Sequence, residues 1–256
     1  MDIRLGYDVK KLFIIALFFS SLLHAQTVTI ALAANVSYAM NELQTAFYKK
    51  YPDTKLRIVI GGSGKLSAQI KNGAPYDIFM SANMYYPEAL YRENMAITKP
   101  RIYAQGALAI LSQRPRDLTQ GIKIVVDTEI RHIAMANPKT APYGKASMEA
   151  LKNAKLYQKI KPKLIFGDSI AQTVTYTMTA ADLGFIAKSA LYCLKMKKFK
   201  KDKNWIEVDA NLYTPISQGI IITKYGSNNS AAKKIYDFIL SKEAKNIFKK
   251  YGYNTP

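Results

Sequence analysis

The sequence predicts an α/β protein of two lobes, each a mostly parallel sheet flanked by helices. Three observations lead there. Short apolar runs alternate with segments of helical periodicity, the order that gives parallel strands joined by crossover helices. The alternation occurs twice, in two units of similar style with no low-complexity linker between them. The 256 residues are also enough for two cores. A single continuous sheet is the alternative arrangement.

In the first unit, residues 28–32 read as a buried strand and 38–50 as a helix with Ala39, Leu43, Ala46 and Phe47 near one face. Residues 56–60 follow as a strand, and 66–71 as a short helix stopped by Asn72-Gly73. Residues 78–80 make a third strand. The second unit repeats this pattern: strand 130–136, helix 145–154, strand 163–166, helix 171–180 and strand 183–187. Extended segments at 104–111 and 214–223 lie at the seams, and a last helix is expected over about 230–251. That strand and helix need a home in the first sheet. The second lobe is therefore expected as an insertion, with 26–104 plus 215–256 forming lobe 1 and 105–214 forming lobe 2.

The first 25 residues read as a secretory signal. Arg4, Lys10 and Lys11 precede an apolar run over 12–23, and His24-Ala25-Gln26 follows. The run is shorter than the ~20 residues of a spanning helix, so cleavage after Ala25 and export to the periplasm are expected, with an uncleaved anchor as the alternative. Cys193 is the only cysteine, which excludes a disulfide within the chain; it is expected as a small buried apolar residue. The formal charge is +19, and residues 1–25 carry three basic and two acidic groups, leaving +18 without them. Such an excess attracts anions, but it is scattered. The one dense run, KMKKFKKDK at 195–203, reads as a solvated loop, and an export signal argues against nucleic acid as partner.

The candidate chemistry sits where strands give way to helices. Ala33-Ala34-Asn35-Val36-Ser37, Gly61-Gly62-Ser63-Gly64, the stretch from Asn137-Pro138 to Pro142-Tyr143-Gly144, and Gly167-Asp168-Ser169-Ile170 all have this placement. Ligands of open α/β sheets bind beyond the carboxyl ends of strands. There the first N–H groups of a helix lack partners and, with the helix dipole, favour anions. Each loop alone reads equally well as a cap or a turn; the argument is their recurrence. A phosphate loop is excluded, because G-x-x-x-x-G-K-[ST] would need Gly at Val59 and Ser or Thr at Leu66. His132, the one histidine beyond residue 25, reads as a core residue of a strand. With a lone His and a lone Cys there is no zinc cluster, and a Cys193–His132 dyad is the weak remaining case for a secreted enzyme. No enzymatic activity, cofactor or resident metal is expected.

Several motifs in order resemble the molybdate-binding proteins of ABC importers. They are Thr29 to Val36 (TIALAANV), Gly61 to Leu66 (GGSGKL), Gly73 to Ala82 (GAPYDIFMSA), Asn137-Pro138 with Ala141 to Gly144 (APYG), Gly167 to Thr173 (GDSIAQT) and Asp182 to Ile186 (DLGFI). The resemblance runs from about Thr27 to Tyr253. It implies the two-lobed periplasmic binding protein fold of type II with the ligand in the interlobe cleft, and a monomeric receptor for molybdate or tungstate, served by a membrane permease and an ATPase. Carried over by position, it implies Asn35 and Ser63 as donors from lobe 1 and Tyr143 and Ile170 from lobe 2, Ile170 through its backbone N–H. One branch of the family has Ser at the position of Asn35 and a tyrosine where this chain has Ala187; here Tyr143 would supply the phenol, as in the other branch. Receptors for another anion such as sulfate, or for an iron complex or an organic acid, are the rival readings, although no arginine lies in the four loops.

Overall fold

The computed structural model describes residues 26–256, so the expected signal segment lies outside the described residues. The chain forms two five-stranded sheets flanked by helices. In order, the elements are β1 (Gln26–Ala33), α1 (Ser37–Lys50), β2 (Thr54–Gly61), α2 (Ser63–Lys71), β3 (Ile78–Met80), α3 (Tyr85–Arg92), β4 (Arg101–Gly106) and β5 (Leu108–Leu111). There follow β6 (Ile133–Ala136), α4 (Pro142–Asn153), α5 (Tyr157–Ile160), β7 (Leu164–Gly167), α6 (Ile170–Thr179), β8 (Leu183–Ala187), β9 (Trp205–Glu207), β10 (Ile216–Ile222), α7 (Ser230–Ile239) and α8 (Lys242–Lys250).

The first sheet has the order β2-β1-β3-β10-β4 and the second β7-β6-β8-β5-β9. In each, three parallel strands are extended by antiparallel pairing: β10 to β3 and β4, and β5 to β8 and β9. Central strands are covered on both faces, hence their continuous apolar character: Leu108 to Leu111 and Ile133 to Ala136 are fully buried.

Three expectations change. The extended segment 104–111 is two strands in different sheets, because the chain crosses over at Ala107 between β4 and β5. The last helix is broken in two: Ser241 caps α8 by accepting a hydrogen bond from the Ala244 N–H (3.3 Å), and that bond starts a new helix. The expected strand 130–136 begins only at Ile133, and His132 ahead of it is exposed rather than in the core. The basic run at 195–203 is exposed at its lysines and pinned by buried Met196 and Phe199.

Each sheet has its own apolar cluster. The one around β1, β3, α1, α7 and α8 includes Val28, Ile30, Phe47, Ile235 and Phe248. The one around β5, β6 and β8 includes Ile110, Met135, Leu151 and Phe185, and it also reaches Ala33, Ala34 and Ala82 of the first sheet's loops. Small apolar residues therefore join the two halves where the cleft closes.

Candidate functional site

Strand register brings the loops together. β1 and β2 pair in parallel down to Ala33 opposite Gly61, so the segments 34–36 and 62–63 leave the first sheet side by side. β6 and β7 pair in parallel down to Ala136 opposite Gly167, so the segments 137–141 and 168–169 leave the second sheet the same way. Each loop feeds a helix: a 3₁₀ turn over Ala34–Val36, α2 from Ser63, α4 from Pro142 and α6 from Ile170. The four starts line one small, partly open cavity of about 10 Å³, whose wall includes Asn35, Ser63, Tyr143 and Ile170 and no charged side chain. All four are buried, at 0, 1, 1 and 4% exposure. A cavity of that size has room for about one water, far below the ~300–1,000 Å³ of drug-sized sites, so the space suits only a small ligand. A larger open groove of about 220 Å³ shares Pro142 with it, but its polar groups include Lys145 and Glu149 4.0 Å apart rather than converging helix starts.

The candidate donors are prepared individually. The Ser63 Oγ accepts from the Ala82 N–H (2.9 Å), which leaves its proton free to donate elsewhere. Ser63 and Ile170 are the first residues of α2 and α6, so their N–H groups have no acceptor within the helix. Pro142 occupies the first position of α4, where its missing N–H costs nothing, and Tyr143 follows. The Ser169 side chain caps α6 by accepting from the Gln172 N–H (3.2 Å), and exposed Asp168 stays outside the cavity wall.

The two halves also touch directly. The Gly64 N–H donates to the Thr140 carbonyl (2.9 Å), and the Ser189 hydroxyl donates to the Asn35 carbonyl (3.1 Å). A side-chain carbon on Gly62 would lie 3.0 Å from the Asp168 carbonyl oxygen, so backbone meets backbone across the cleft.

Behind the cavity lies a buried uncharged network that sequence reasoning missed. Asn35 Nδ2 donates to Gln218 Oε1 (2.8 Å) and to the Tyr253 hydroxyl (3.0 Å). The Tyr103 hydroxyl lies 2.9 Å from Gln218 Oε1 and 3.1 Å from the Ser81 carbonyl. Gln218 Nε2 lies 3.4 Å from the Tyr143 hydroxyl. The Tyr253 hydroxyl donates to the Asn35 carbonyl (2.8 Å). A polar Gln218 inside the apolar strand ISQGIII was the available signal; nothing in the terminal sequence pointed to Tyr253.

Burial pushes the phenols of Tyr143 and Tyr103 well above their usual range, with the neighbouring phenol of Tyr253 adding to both. Burial likewise pushes Tyr253 up to about 12, opposed by its hydrogen bonds with Ser189, Asn35 and Gln218. All three remain neutral hydroxyls at physiological pH. Because the folded chain holds the Tyr253 proton more tightly than an unfolded one, this contribution to stability is complete below pH ~10. It fades as pH rises through about 12. Urea unfolding followed from pH 8 to 12 should show this alkaline loss, and Tyr253→Phe should make it shallower by on the order of 2–3 kcal/mol.

The rival catalytic pair does not reach the site. His132 is exposed at the start of β6, its backbone N–H held by the Asp182 carboxylate (2.9 Å). Cys193 is partly exposed rather than buried, against the cluster around Leu111 and Ile186. Neither lines the cavity. Ala187 ends β8 fully buried and brings no side-chain donor. Among the described residues no group of three or more His, Cys, Asp or Glu is placed to hold a metal ion.

Residues 28–254 match the family model described as bacterial extracellular solute-binding protein. The chain is 35% identical, over 90% of its own length and 90% of the relative's, to a molybdate-binding protein ModA from Azotobacter vinelandii. It is 34% identical, over 90% and 89%, to a molybdate-binding protein ModA from Rhodobacter capsulatus. The solved Azotobacter vinelandii periplasmic molybdate-binding protein superposes with a TM-score of 0.83 at 32% identity, covering 90% of this chain and 99% of that one.

Proposed function

Because this chain belongs to the bacterial extracellular solute-binding proteins, in the branch of the molybdate-binding proteins, we propose that it captures molybdate, and tungstate with it, in the periplasm. It hands the anion, as a monomer, to the permease and ATPase of an ABC importer. Export by residues 1–25 belongs to the same reading. The observation that carries it is the cavity itself: four strand ends, a small volume and no charged wall.

A fully deprotonated tetrahedral dianion only accepts hydrogen bonds. The Ser63 hydroxyl, the Tyr143 phenol and the Ile170 N–H are neutral donors of the kind it needs, and the Asn35 amide becomes one once its Nδ2 faces the cavity. Each bond to a charged ligand contributes about 1.5–3 kcal/mol. Hydrogen phosphate would bring an O–H that needs an acceptor, and leaving that group unpaired supplies discrimination. Sulfate has the same charge and shape but shorter bonds, so cavity width must reject it; molybdate and tungstate differ too little to be separated that way. Strands of different sheets end on either side of Ala107 and of residues 208–215, which supports two lobes divided there, with lobe 1 reaching Gly106 rather than stopping at 104, and hinge closure at those crossings.

Calorimetric titration with molybdate, tungstate, sulfate and phosphate tests this. Molybdate and tungstate should bind alike and far above the other two, and Ser63→Ala should weaken molybdate by roughly 10- to 100-fold. Sulfate binding as tight as molybdate would move the assignment to the sulfate reading, and an unchanged Ser63→Ala would remove that residue from the site.

A further inference from the structure

Asn35 presents a difficulty for an oxyanion. It is fully buried and lines the cavity. Its Nδ2 is committed to Gln218 and Tyr253 on the far side. Its Oδ1 is the buried side-chain atom left without a partner among the described residues. In this arrangement the amide atom free to meet a ligand is an acceptor, which a fully deprotonated anion repels and a protonated one would welcome.

The two ends of an amide have nearly the same shape, so a half-turn exchanges donor for acceptor without moving any other heavy atom. Whether Asn35 can make that turn depends on what faces it. With Nδ2 turned to the cavity, Oδ1 would sit 2.8 Å from Gln218 and 3.0 Å from the Tyr253 hydroxyl and would need a donor there. If Gln218 stays as it is, two carbonyl oxygens face each other at 2.8 Å. If Gln218 turns as well, its Nε2 faces Asn35 Oδ1 and the Tyr103 hydroxyl. Tyr103 can accept that bond, because the Ser81 carbonyl at 3.1 Å takes its proton. The Gln218 Oε1 then faces the Tyr143 hydroxyl at 3.4 Å, a contact too long to compete with a charge-assisted bond from that phenol to the anion. Tyr253 can turn its proton from the Asn35 carbonyl to Oδ1, because the Ser189 hydroxyl still donates to that carbonyl (3.1 Å), so the same heavy-atom skeleton supports both arrangements.

We propose that Gln218 is a positioning residue that sets specificity: by turning together with Asn35 it lets the cavity present a donor, and so binds deprotonated oxyanions in preference to protonated ones. The inference rests on the oxyanion reading above. It gives the buried glutamine of β10 a function without any contact to the ligand.

The test uses the purified protein with sodium molybdate and inorganic phosphate as probes, in a double-mutant cycle of Gln218→Met and Asn35→Ala. Gln218→Met keeps length and removes both amide ends. It should weaken molybdate about 10-fold or more, while adding it to Asn35→Ala should cost little further, because Gln218 acts through Asn35. Gln218→Glu is the second variant, read if the first fails to fold. Once ionised its carboxylate can only accept, which holds Asn35 Nδ2 away from the cavity, so at a pH high enough to overcome the effect of burial on that acid the preference for molybdate over phosphate should narrow by about 10-fold or more. Losses that simply multiply in the cycle, or an unchanged preference in Gln218→Glu, would overturn the role of Gln218 while leaving wild-type molybdate binding intact. A wild-type protein that binds no tetrahedral oxyanion would overturn the functional reading and this inference together.

Discussion

Gly144→Ala should destabilise the protein by about 3 kcal/mol, at the upper end of the usual cost of overpacking. For a chain of this size that lowers the melting temperature by roughly 6–12 °C. An alanine side-chain carbon at 144 would lie 2.1 Å from the Ala136 carbonyl oxygen and 2.7 Å from its carbon. Both are backbone atoms of β6, the central parallel strand of its sheet, and no rotamer change can withdraw them. The opposing effect is small: alanine is better than glycine inside a helix by about 1 kcal/mol. The clash therefore wins, and it must be relieved by lifting the start of α4 off the sheet. That start carries Tyr143, so anion affinity should fall with stability. Thermal unfolding and calorimetry on the variant check both; a variant as stable as the wild type would mean that α4 does not rest on β6 as closely as this.

The loops of the site were legible because turn chemistry is local. Gly61-Gly62-Ser63-Gly64, Asn137-Pro138 and Gly167-Asp168-Ser169 interrupt apolar strands with residues that cap helices or turn sharply, and the structure puts each where a strand ends. What sequence could not supply was register. Pairing Ala33 with Gly61 and Ala136 with Gly167 is a long-range property that brings the loops together two by two, and the contacts of Gly64 with Thr140 and of Ser189 with Asn35 bring the two pairs to one cavity. The support behind the site was illegible for the same reason: Tyr253 reaches Asn35 across 218 positions of sequence and Gln218 across 183. The errors were local ones. An apolar period that continues past Ser241 hid a helix break that a single cap imposes. His132 stands next to an apolar strand without belonging to it. The expected elements also have no counterpart of α3, whose Pro87 reads as a breaker although it lies in the first turn, where proline is tolerated.

The second large effect concerns closure rather than folding. Gly64→Ala should leave the stability of the ligand-free protein nearly unchanged and weaken molybdate on the order of 100-fold or more. A carbon at that position would lie 2.8 Å from the Thr140 carbonyl oxygen and 3.1 Å from its Cα, as well as 2.7 Å from the Tyr86 hydroxyl. The phenol can swing aside, but the Thr140 backbone can retreat only by moving the second lobe. The same approach carries the hydrogen bond from the Gly64 N–H to Thr140. Holding the lobes apart would remove the proposed donors Tyr143 and Ile170 from the anion, and two charge-assisted bonds at about 1.5–3 kcal/mol each would account for the loss. Small-angle scattering gives an independent reading: molybdate should compact the wild type and leave Gly64→Ala extended. If the variant binds with wild-type affinity, the donors of the first lobe suffice alone and the contact across the cleft is incidental to capture. If it loses affinity yet still compacts, the loss comes from the loop around Ser63, not from closure.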